Sequence, residues 1–273
     1  MGQILRNPSL ETVNHAIEEN QRNFFLEFFR HWPGSVSYEE DGMTRFRSSG
    51  QNPLFNAVLN FKGESRDLDA QIQAMQSEHA HHSVPLGWLL WPTSSRSVNR
   101  ERLLRHGFVH ALDLIGMSLN IADLQPQTLH PGVSITEVQN AEDLARWMEP
   151  CRISFEFTDL DADGFYRGLL GMGFGGDSPV HHYIAWEAGR PVACSSLYLS
   201  AGVAGIYDVA TLPEARGRGI GTAIAQQPVL VAREQGYNVA ILHSTPMGDR
   251  VYRRLGFREN CRIGFYAWGM TDH

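Results

Sequence analysis

The apolar positions in the first 108 residues predict helices alternating with strands. Residues 9–32 repeat hydrophobic side chains at helical spacing, from Leu10 to Phe28, which predicts a long amphipathic helix. Alternation on both sides of Asp41-Gly42 predicts a β-hairpin. The later segments predict, in order, a strand at 53–61, an amphipathic helix at 65–79, a buried strand at 84–91 and a short helix at 97–108.

The periodic pattern breaks at residues 121–133, which contain Pro126 and Pro131. Prolines without periodic apolar residues are typical of a linker, so we expect two lobes, at 1–125 and 132–273. The second course of elements is predicted to comprise a strand at 133–138, helices at 141–155 and 161–173, a three-stranded meander at 181–212, a helix ending near Gly236, a strand at 237–245, a helix at 247–257 and a strand at 259–268.

The two courses resemble each other where a buried strand is followed by a short helix. Residues 100–108 read RERLLRHGF and residues 249–257 read DRVYRRLGF, so each helix ends in Gly-Phe. This similarity favours an internal duplication. We therefore expect an α/β fold of the α+β type, with a mixed, mostly antiparallel sheet flanked by helices and duplicated as two lobes.

Composition narrows the functional classes. The formal net charge of −7 argues against a general nucleic-acid-binding protein, which usually carries a basic excess. No apolar window is long enough for a membrane-spanning helix. Cys151, Cys194 and Cys261 form no CxxC pair, which predicts neither a disulfide scaffold nor a zinc site and favours the cytoplasm. Histidines at 79–82 and 181–182 lack partners at ligand spacing, so no metal is expected.

Residues 213–225, PEARGRGIGTAIA, place three glycines and two arginines at the start of a predicted helix. A helix N-terminus carries unpaired N–H groups and partial positive charge, which bind phosphate where the backbone is accessible. Glycine allows that access, and Arg216 and Arg218 add positive charge. The alternative is a tight turn without a ligand, but the arginines and the position before a helix favour phosphate.

Two nucleotide-binding patterns are excluded. The P-loop sequence GxxxxGK[ST] does not occur. The dinucleotide pattern GxGxxG begins at Gly217 and Gly219 but has Thr222 at its last position, and no acidic residue follows about twenty positions later. The preceding strand also belongs to an antiparallel meander rather than to a βαβ crossover.

The remaining pattern, Arg-x-x-Gly-x-Gly at Arg216, Gly219 and Gly221, resembles the acetyl-CoA signature of the GNAT superfamily of N-acetyltransferases. Residues 206–224 resemble that family's fourth strand, loop and third helix, and the resemblance extends over residues 132–273. It implies the GNAT fold and acetyl-CoA as co-substrate.

The N-terminal half resembles the family only in its order of strands and helices. It has no glycine-rich loop, and Leu103 stands where the second half has Tyr252. We therefore expect a degenerate GNAT-like lobe that has lost cofactor binding.

The resemblance implies where acetyl-CoA binds. Backbone N–H groups of the loop are implied to hold the pyrophosphate, and the preceding strand is implied to pair with the pantetheine and the acetyl carbonyl. The implied cofactor-binding residues are Val209, Ala210, Thr211, Arg216, Gly217, Arg218, Gly219, Ile220, Gly221 and Thr222, with Thr245 in a polar role that Asn takes in many family members.

Three catalytic candidates follow from the same resemblance. Tyr252, five residues before Phe257, is implied to protonate the departing CoA thiolate. Asp208 lies beside the implied acetyl site, and Glu156 lies in the stretch where the family builds its acceptor site. Either carboxylate is a candidate base for the acceptor amine.

The expected function is transfer of the acetyl group of acetyl-CoA to a primary amine of a small molecule or peptide by direct attack. Two alternatives stay open: acyl transfer to a non-amine acceptor, and a non-catalytic acetyl-CoA-binding sensor or interaction protein. The expected partners are acetyl-CoA and an amine, without nucleic acid or membrane, and oligomer formation is left open.

Overall fold

A computed structural model describes residues 3–40, 42–63, 67–176 and 178–270. Over these residues, eleven strands form one continuous sheet with helices on both faces, which confirms the mixed, mostly antiparallel architecture. The strands are β1 (Val36–Glu40), β2 (Met43–Arg47), β3 (Ala57–Phe61), β4 (Leu86–Leu90), β5 (Val109–Asn120), β6 (Val133–Glu137), β7 (Val180–Glu187), β8 (Arg190–Ser200), β9 (Val203–Thr211), β10 (Val239–Ser244) and β11 (Arg258–Trp268).

The helices follow the apolar periodicity of the sequence. Within the described ranges, three short 3-10 turns accompany them, at Pro53–Phe55, Ile121–Asp123 and Pro213–Ala215. The α-helices are α1 (Leu10–His31), α2 (Leu68–His81), α3 (Arg100–Arg105), α4 (Ala141–Ser154), α5 (Asp159–Met172), α6 (Ile220–Glu234) and α7 (Asp249–Leu255).

Local turn chemistry explains where several strands begin and end. The meander turns at Ala188-Gly189 and Ala201-Gly202 have positive φ at both central residues, the geometry that joins twisted antiparallel strands tightly. In the predicted first hairpin, Glu40 pairs with Met43, whereas Asp41 itself lies outside the described residues. The strand predicted at 53–61 was too long at its start: Pro53 has no N–H to donate to a ladder and opens a 3-10 turn instead.

The two halves of the chain exchange a strand. The sheet order is β1-β2-β3-β4-β11-β5-β10-β9-β8-β7-β6, so the last strand, β11, lies beside β4 of the first half. In return β5 of the first half lies beside β10 of the second. β5 and β11 pair antiparallel, from Ser118 opposite Arg258 to Val109 opposite Ala267. Each is the strand that follows a Gly-Phe helix, so the exchange joins equivalent elements of the two courses. The lobe boundaries at 1–125 and 132–273 stay predictions, and the sheet continues across them.

The core lies on both faces of this sheet. On one face, α1 packs with α4 and α5 around an aromatic cluster that includes Phe28, Trp147 and Phe165. On the other face, α6 and α7 cover β5, β8, β9 and β10. Helix α1 belongs to the first half of the chain but contacts β8 and β9 of the second half. It therefore connects the two halves in addition to the exchanged strands. No helix in the described part of the chain combines the length and apolar character needed to cross a membrane.

Candidate active site

A split opens in the sheet between β9 and β10. These parallel strands pair from Ala204 opposite Ala240 to Ile206 opposite Leu242. Beyond Ile206, β9 continues to Thr211 and remains paired with β8 on its other side, but it has no register partner on β10. The edge of residues 207–211 is therefore accessible for pairing with an extended ligand.

A β-bulge in β9 places two consecutive side chains, those of Tyr207 and Asp208, on the same face of the sheet. Cys194 pairs with Ala210 and Ser196 with Tyr207, so β9 contains one extra residue, and Asp208 adopts φ 53°. The Tyr207 hydroxyl donates to Asn20 on α1, and the Asp208 carboxyl lies next to the Ser196 hydroxyl. The flanking residues Ile206 and Val209 instead pack with the cluster under α6.

The carboxyl group of Asp208 is poorly hydrated. The residue is half-buried, and its Oδ2 is enclosed without a hydrogen-bond partner among the described residues. Burial disfavours the charged form and raises the Asp208 pKa to about 7, although a hydrogen bond from Ser196 opposes this shift. A carboxyl group with this pKa can exchange a proton near neutral pH.

Tyr252 lies on α7, near enough to Asp208 for the two groups to interact electrostatically. It is 8% exposed, and burial, together with the nearby charge of Asp208, raises its pKa well above the ordinary value for a tyrosine. Its ring packs edge-on against Phe257 with centroids 6.1 Å apart. A Cβ at Gly248 would lie 2.9 Å from this ring, so the approach of Tyr252 requires glycine there. Tyr252 therefore remains a protonated hydroxyl at neutral pH.

Thr245, predicted as a polar cofactor contact, lies exposed between β10 and α7. Its carbonyl oxygen accepts hydrogen bonds from the N–H groups of Gly248 at 3.0 Å and Asp249 at 3.2 Å. Its backbone thus shapes the start of the helix that positions Tyr252.

The glycine-rich loop presents unpaired donors at the end of the split. Gly217 and Gly219 have φ of 76° and 81°, and a Cβ on either would meet open space. Gly219 caps α6, and the first N–H with a partner in this helix is that of Ala223, which bonds the Gly219 carbonyl at 3.0 Å. For residues 217–222, the described part of the chain contains no acceptor for the backbone N–H groups. This donor set and the accessible backbone fit a phosphate ligand.

The two arginines of the loop have different roles. Both Nη atoms of Arg218 bind Glu187 at the end of β7, at 2.7 and 2.8 Å, and this hydrogen bonding lowers the Glu187 pKa. Arg216 donates from Nε to the Thr211 carbonyl at 3.0 Å. Arg218 thus ties the loop to the sheet, whereas Arg216, exposed at the loop, has no carboxylate partner among the described residues.

Glu156 is not joined to the split by any contact among the described residues. It is exposed at the end of α4 with φ 54°. The neighbouring acidic side chains have other partners: Asp161 accepts from the N–H groups of Gln51 and Asn52 and from the Thr158 hydroxyl, Asp159 pairs with Arg152, and Asp163 pairs with Arg167. Asp161 therefore joins α5 to the first half of the chain.

Sequence reasoning missed three residues near Asp208: His182, Ser196 and His243. His182 and Ser196 are buried and hydrogen-bonded to each other. His243 stands on β10 beyond the last pair with β9, between the rings of Tyr207 and Trp91, at centroid distances of 6.1 and 5.8 Å. Both of its ring nitrogens lack a partner in the described chain, and burial lowers its pKa to about 4. For His243, the available signal in the sequence was a histidine that follows four apolar residues of β10.

The equivalent edge in the first half is closed by the chain itself. There β3 and β4 pair at Ala57 opposite Gly87 and Val58 opposite Trp88. Beyond that point, the Trp91 indole N–H donates to the Leu59 carbonyl at 2.8 Å, and the Ser95 N–H donates to the Phe61 carbonyl at 2.8 Å. Residues 91–95 thus occupy the backbone edge that remains accessible in the second half.

Comparison with known proteins agrees with this geometry. Residues 178–259 match the family model described as an acetyltransferase (GNAT) domain. The chain is similar to the structure of a GCN5-related N-acetyltransferase from Kribbella flavida, with TM-score 0.70 and 17% identity over 92% of this chain and 94% of that chain. Comparison with curated protein sequences returned no match.

Two further solved structures share the fold. A functionally unknown conserved protein from Staphylococcus epidermidis has TM-score 0.64 and 14% identity over 86% of this chain and 94% of that chain. A tandem GNAT protein from the clavulanic acid biosynthesis pathway has TM-score 0.60 and 12% identity over 99% of both chains. The matched domain is one of acyl transfer, and the predicted resemblance is confirmed: this chain has the GNAT fold, and its residues 178–259 match a GNAT acetyltransferase domain.

Proposed function

We propose that this protein is an acetyl-CoA-dependent N-acetyltransferase with one catalytic site, at the split between β9 and β10. The observation that carries the proposal is the convergence of three features there. These are the accessible edge of residues 207–211, the unpaired N–H groups of residues 217–222, and the pair Asp208 and Tyr252. An extended thioester with a phosphate group at its far end needs all three.

Binding would use backbone rather than side chains. The N–H groups of the loop would hold the pyrophosphate of acetyl-CoA, and the open space at Gly217 and Gly219 supports a close approach. The edge of Val209, Ala210 and Thr211 would pair with the amides of pantetheine, which positions the thioester for attack. Acetyl-CoA supplies the activated acetyl group.

Proton transfer would use the two ionisable side chains at the split. Asp208 would take a proton from the acceptor ammonium, since a carboxyl with a pKa of about 7 is matched to that task near neutral pH. Tyr252, held protonated by burial and by the charge of Asp208, would donate its proton to the departing thiolate. A backbone N–H of the β9 edge would stabilise the negative charge that develops on the acetyl carbonyl oxygen.

The same pair distinguishes this proposal from its alternatives. A sensor that only binds acetyl-CoA needs neither a raised carboxyl pKa nor a buried hydroxyl beside it. A carboxylate beside the attacking group also suits a cationic amine better than a neutral hydroxyl, because the amine must lose a proton before attack. Closure of the first-half edge by Trp91 supports a single site per chain.

The proposal is tested by incubating the full chain with acetyl-CoA and a panel of primary amines, following thiol release and product mass. Tyr252→Phe keeps the ring and removes the hydroxyl. We expect kcat to fall by at least about a hundredfold, the lower range for general acid catalysis, with KM for acetyl-CoA little changed. Tyr237→Phe is the matched control, because Tyr237 is also buried, at 7% exposure, but lies before β10 and away from the split. Binding of acetyl-CoA without thiol release for any amine would instead support the sensor.

A further inference from the structure

Asp208 rests on a buried hydrogen-bond chain that leads away from the split. The Ser196 hydroxyl on β8 lies close enough to the Asp208 carboxyl to lower the pKa of that group, and Oγ of Ser196 lies 2.7 Å from Nδ1 of His182 on β7. Ser196 and His182 are directly opposite in the β7–β8 register, and they are 0% and 1% exposed. This series of interacting side chains therefore extends from Asp208 on β9 across the neighbouring strands β8 and β7.

The chemistry of each group sets the direction of the hydrogen bonds. An ionised carboxylate only accepts, so the Ser196 hydroxyl donates to Asp208. Its oxygen then accepts from the Nδ1–H of His182, which selects that tautomer. Burial lowers the His182 pKa to about 3, so the histidine is neutral, and its ring packs near Trp147 with centroids 5.1 Å apart. Oδ2 of Asp208 is enclosed and has no hydrogen-bond partner in the described chain.

We propose that Ser196 and His182 are positioning residues that hold Asp208 as the proton acceptor of the acetyl-transfer reaction. The inference rests on the proposed function and extends it to residues that touch neither substrate. The bulge brings Asp208 beside Ser196, Ser196 fixes the rotation of the carboxyl, and His182 fixes the hydroxyl of Ser196. In the reaction, the acceptor proton moves from the amine nitrogen to the Asp208 carboxylate.

The neighbours of Asp208 leave it as the group that titrates near neutral pH. Cys151 on α4, Tyr207 on β9 and Tyr252 on α7 have pKa values raised by burial and by the Asp208 charge, so they stay protonated. His182 and His243, on β7 and β10, have lowered pKa values and stay neutral. On β8, Cys194 contacts Asp208 through a hydrogen bond from Sγ to the backbone carbonyl, at 3.4 Å.

Removing the Ser196 hydroxyl has a defined effect on this titration. The lost donor stabilised the charged carboxylate, so the Asp208 pKa rises in Ser196→Ala. A hydrogen bond to a charged group is worth about 1.5–3 kcal/mol, which corresponds to roughly one to two pH units. We expect the acid limb of kcat/KM to move to higher pH by about one unit or more, with activity recovering at alkaline pH.

Ser195→Ala is the matched control. Ser195 is adjacent and equally buried, but its hydroxyl donates to the Ile224 carbonyl of α6 at 2.8 Å, on the opposite face of the sheet. We expect Ser195→Ala to lower the melting temperature about as much as Ser196→Ala does. The acid limb of its pH profile of kcat/KM should stay where it is in wild type. His182→Leu serves as a second variant and should move the limb in the same direction as Ser196→Ala by a smaller amount.

The Asp208 carboxyl pKa, followed by carbon NMR in these variants, gives a readout independent of turnover. An unmoved NMR pKa in Ser196→Ala and His182→Leu would overturn the inference, and so would a moved pKa with an unmoved acid limb. Full activity of Asp208→Asn would reject Asp208 as the base and this inference with it. The proposed acetyl transfer is decided separately, by thiol release from acetyl-CoA with the wild-type protein, and would not be affected by that result.

Discussion

Asn20 offers a direct test of whether the first half of the chain supports β9, the strand of the proposed site. It lies on α1 and is 0% exposed. Its Nδ2 donates to the carbonyls of Ser200 at 2.9 Å and Tyr198 at 3.4 Å, and its Oδ1 accepts from the Tyr207 hydroxyl at 2.7 Å. A Cβ at Gly205 would lie 2.3 Å from that oxygen, so β9 is shaped to receive this side chain.

The structure gives the size of the expected effect. Asn20→Ala removes all three hydrogen bonds and leaves the hydroxyl of Tyr207 unpaired within the core. An unsatisfied buried polar group costs about 1–3 kcal/mol. The carbonyls of Tyr198 and Ser200 add to this cost, so we expect a loss of about 3 kcal/mol. For a domain of this size, that corresponds to a fall in melting temperature of roughly 6–12 °C.

Asn23→Ala is the matched control on the same helix. Asn23 makes one partly buried hydrogen bond, to the Ser200 hydroxyl at 3.0 Å, so its loss should cost about 1 kcal/mol or less. Thermal and urea unfolding of both variants give the comparison, and kcat should fall in Asn20→Ala because Tyr207 is adjacent to Asp208. Equal stability of the two variants would refute the argument that α1 holds β9 in place.

Three further predictions concern the glycine-rich loop, the exchanged strands and Asp208. Calorimetry should find one equivalent of acetyl-CoA per chain, and Gly219→Val should weaken that binding at least about tenfold because a β-branched residue is strained at φ 81°. Gly236→Val, at φ 82° beyond the end of α6, is the control and should cost stability alone. Residues 132–273 expressed alone lack β4 and β5 and should not form a stable monomer by size-exclusion chromatography; a stable, fully active fragment would contradict the role of the exchange. The folded protein keeps the Asp208 proton up to about pH 7, whereas the unfolded chain loses it near pH 4, so wild-type stability falls over this range. Asp208→Asn cannot lose this proton, so its melting temperature should increase relative to that of wild type between about pH 4 and pH 7 and then keep a constant difference. A difference in melting temperature that does not change with pH would contradict the raised pKa.

Local patterns in the sequence were sufficient for most elements and for the glycine-rich turn before α6. The meander, the loop and α6 are encoded by neighbouring residues: Ala-Gly pairs that accept positive φ, glycines that expose backbone, and an apolar helical face. The helical position of Tyr252 before Gly256-Phe257 could be predicted, because that spacing lies within one helix and its cap. The role of Tyr252 in acetyl transfer stays a prediction. These features depend on interactions a few residues apart, which periodicity and turn chemistry report directly.

The tertiary structure alone decided which strands pair and which polar groups meet. The exchange of β5 and β11 depends on partners about 150 residues apart, and alternation within a strand does not specify its neighbour. Asp208, Ser196 and His182 meet because one extra residue in β9 reverses the side-chain alternation, and no local motif marks that bulge. Arg218, expected to bind phosphate, pairs with Glu187 for the same reason: an ion pair is formed by whichever charge the fold brings within reach. Backbone conformation is chosen largely by adjacent residues, whereas the partners of buried polar groups are set by the packing of distant segments.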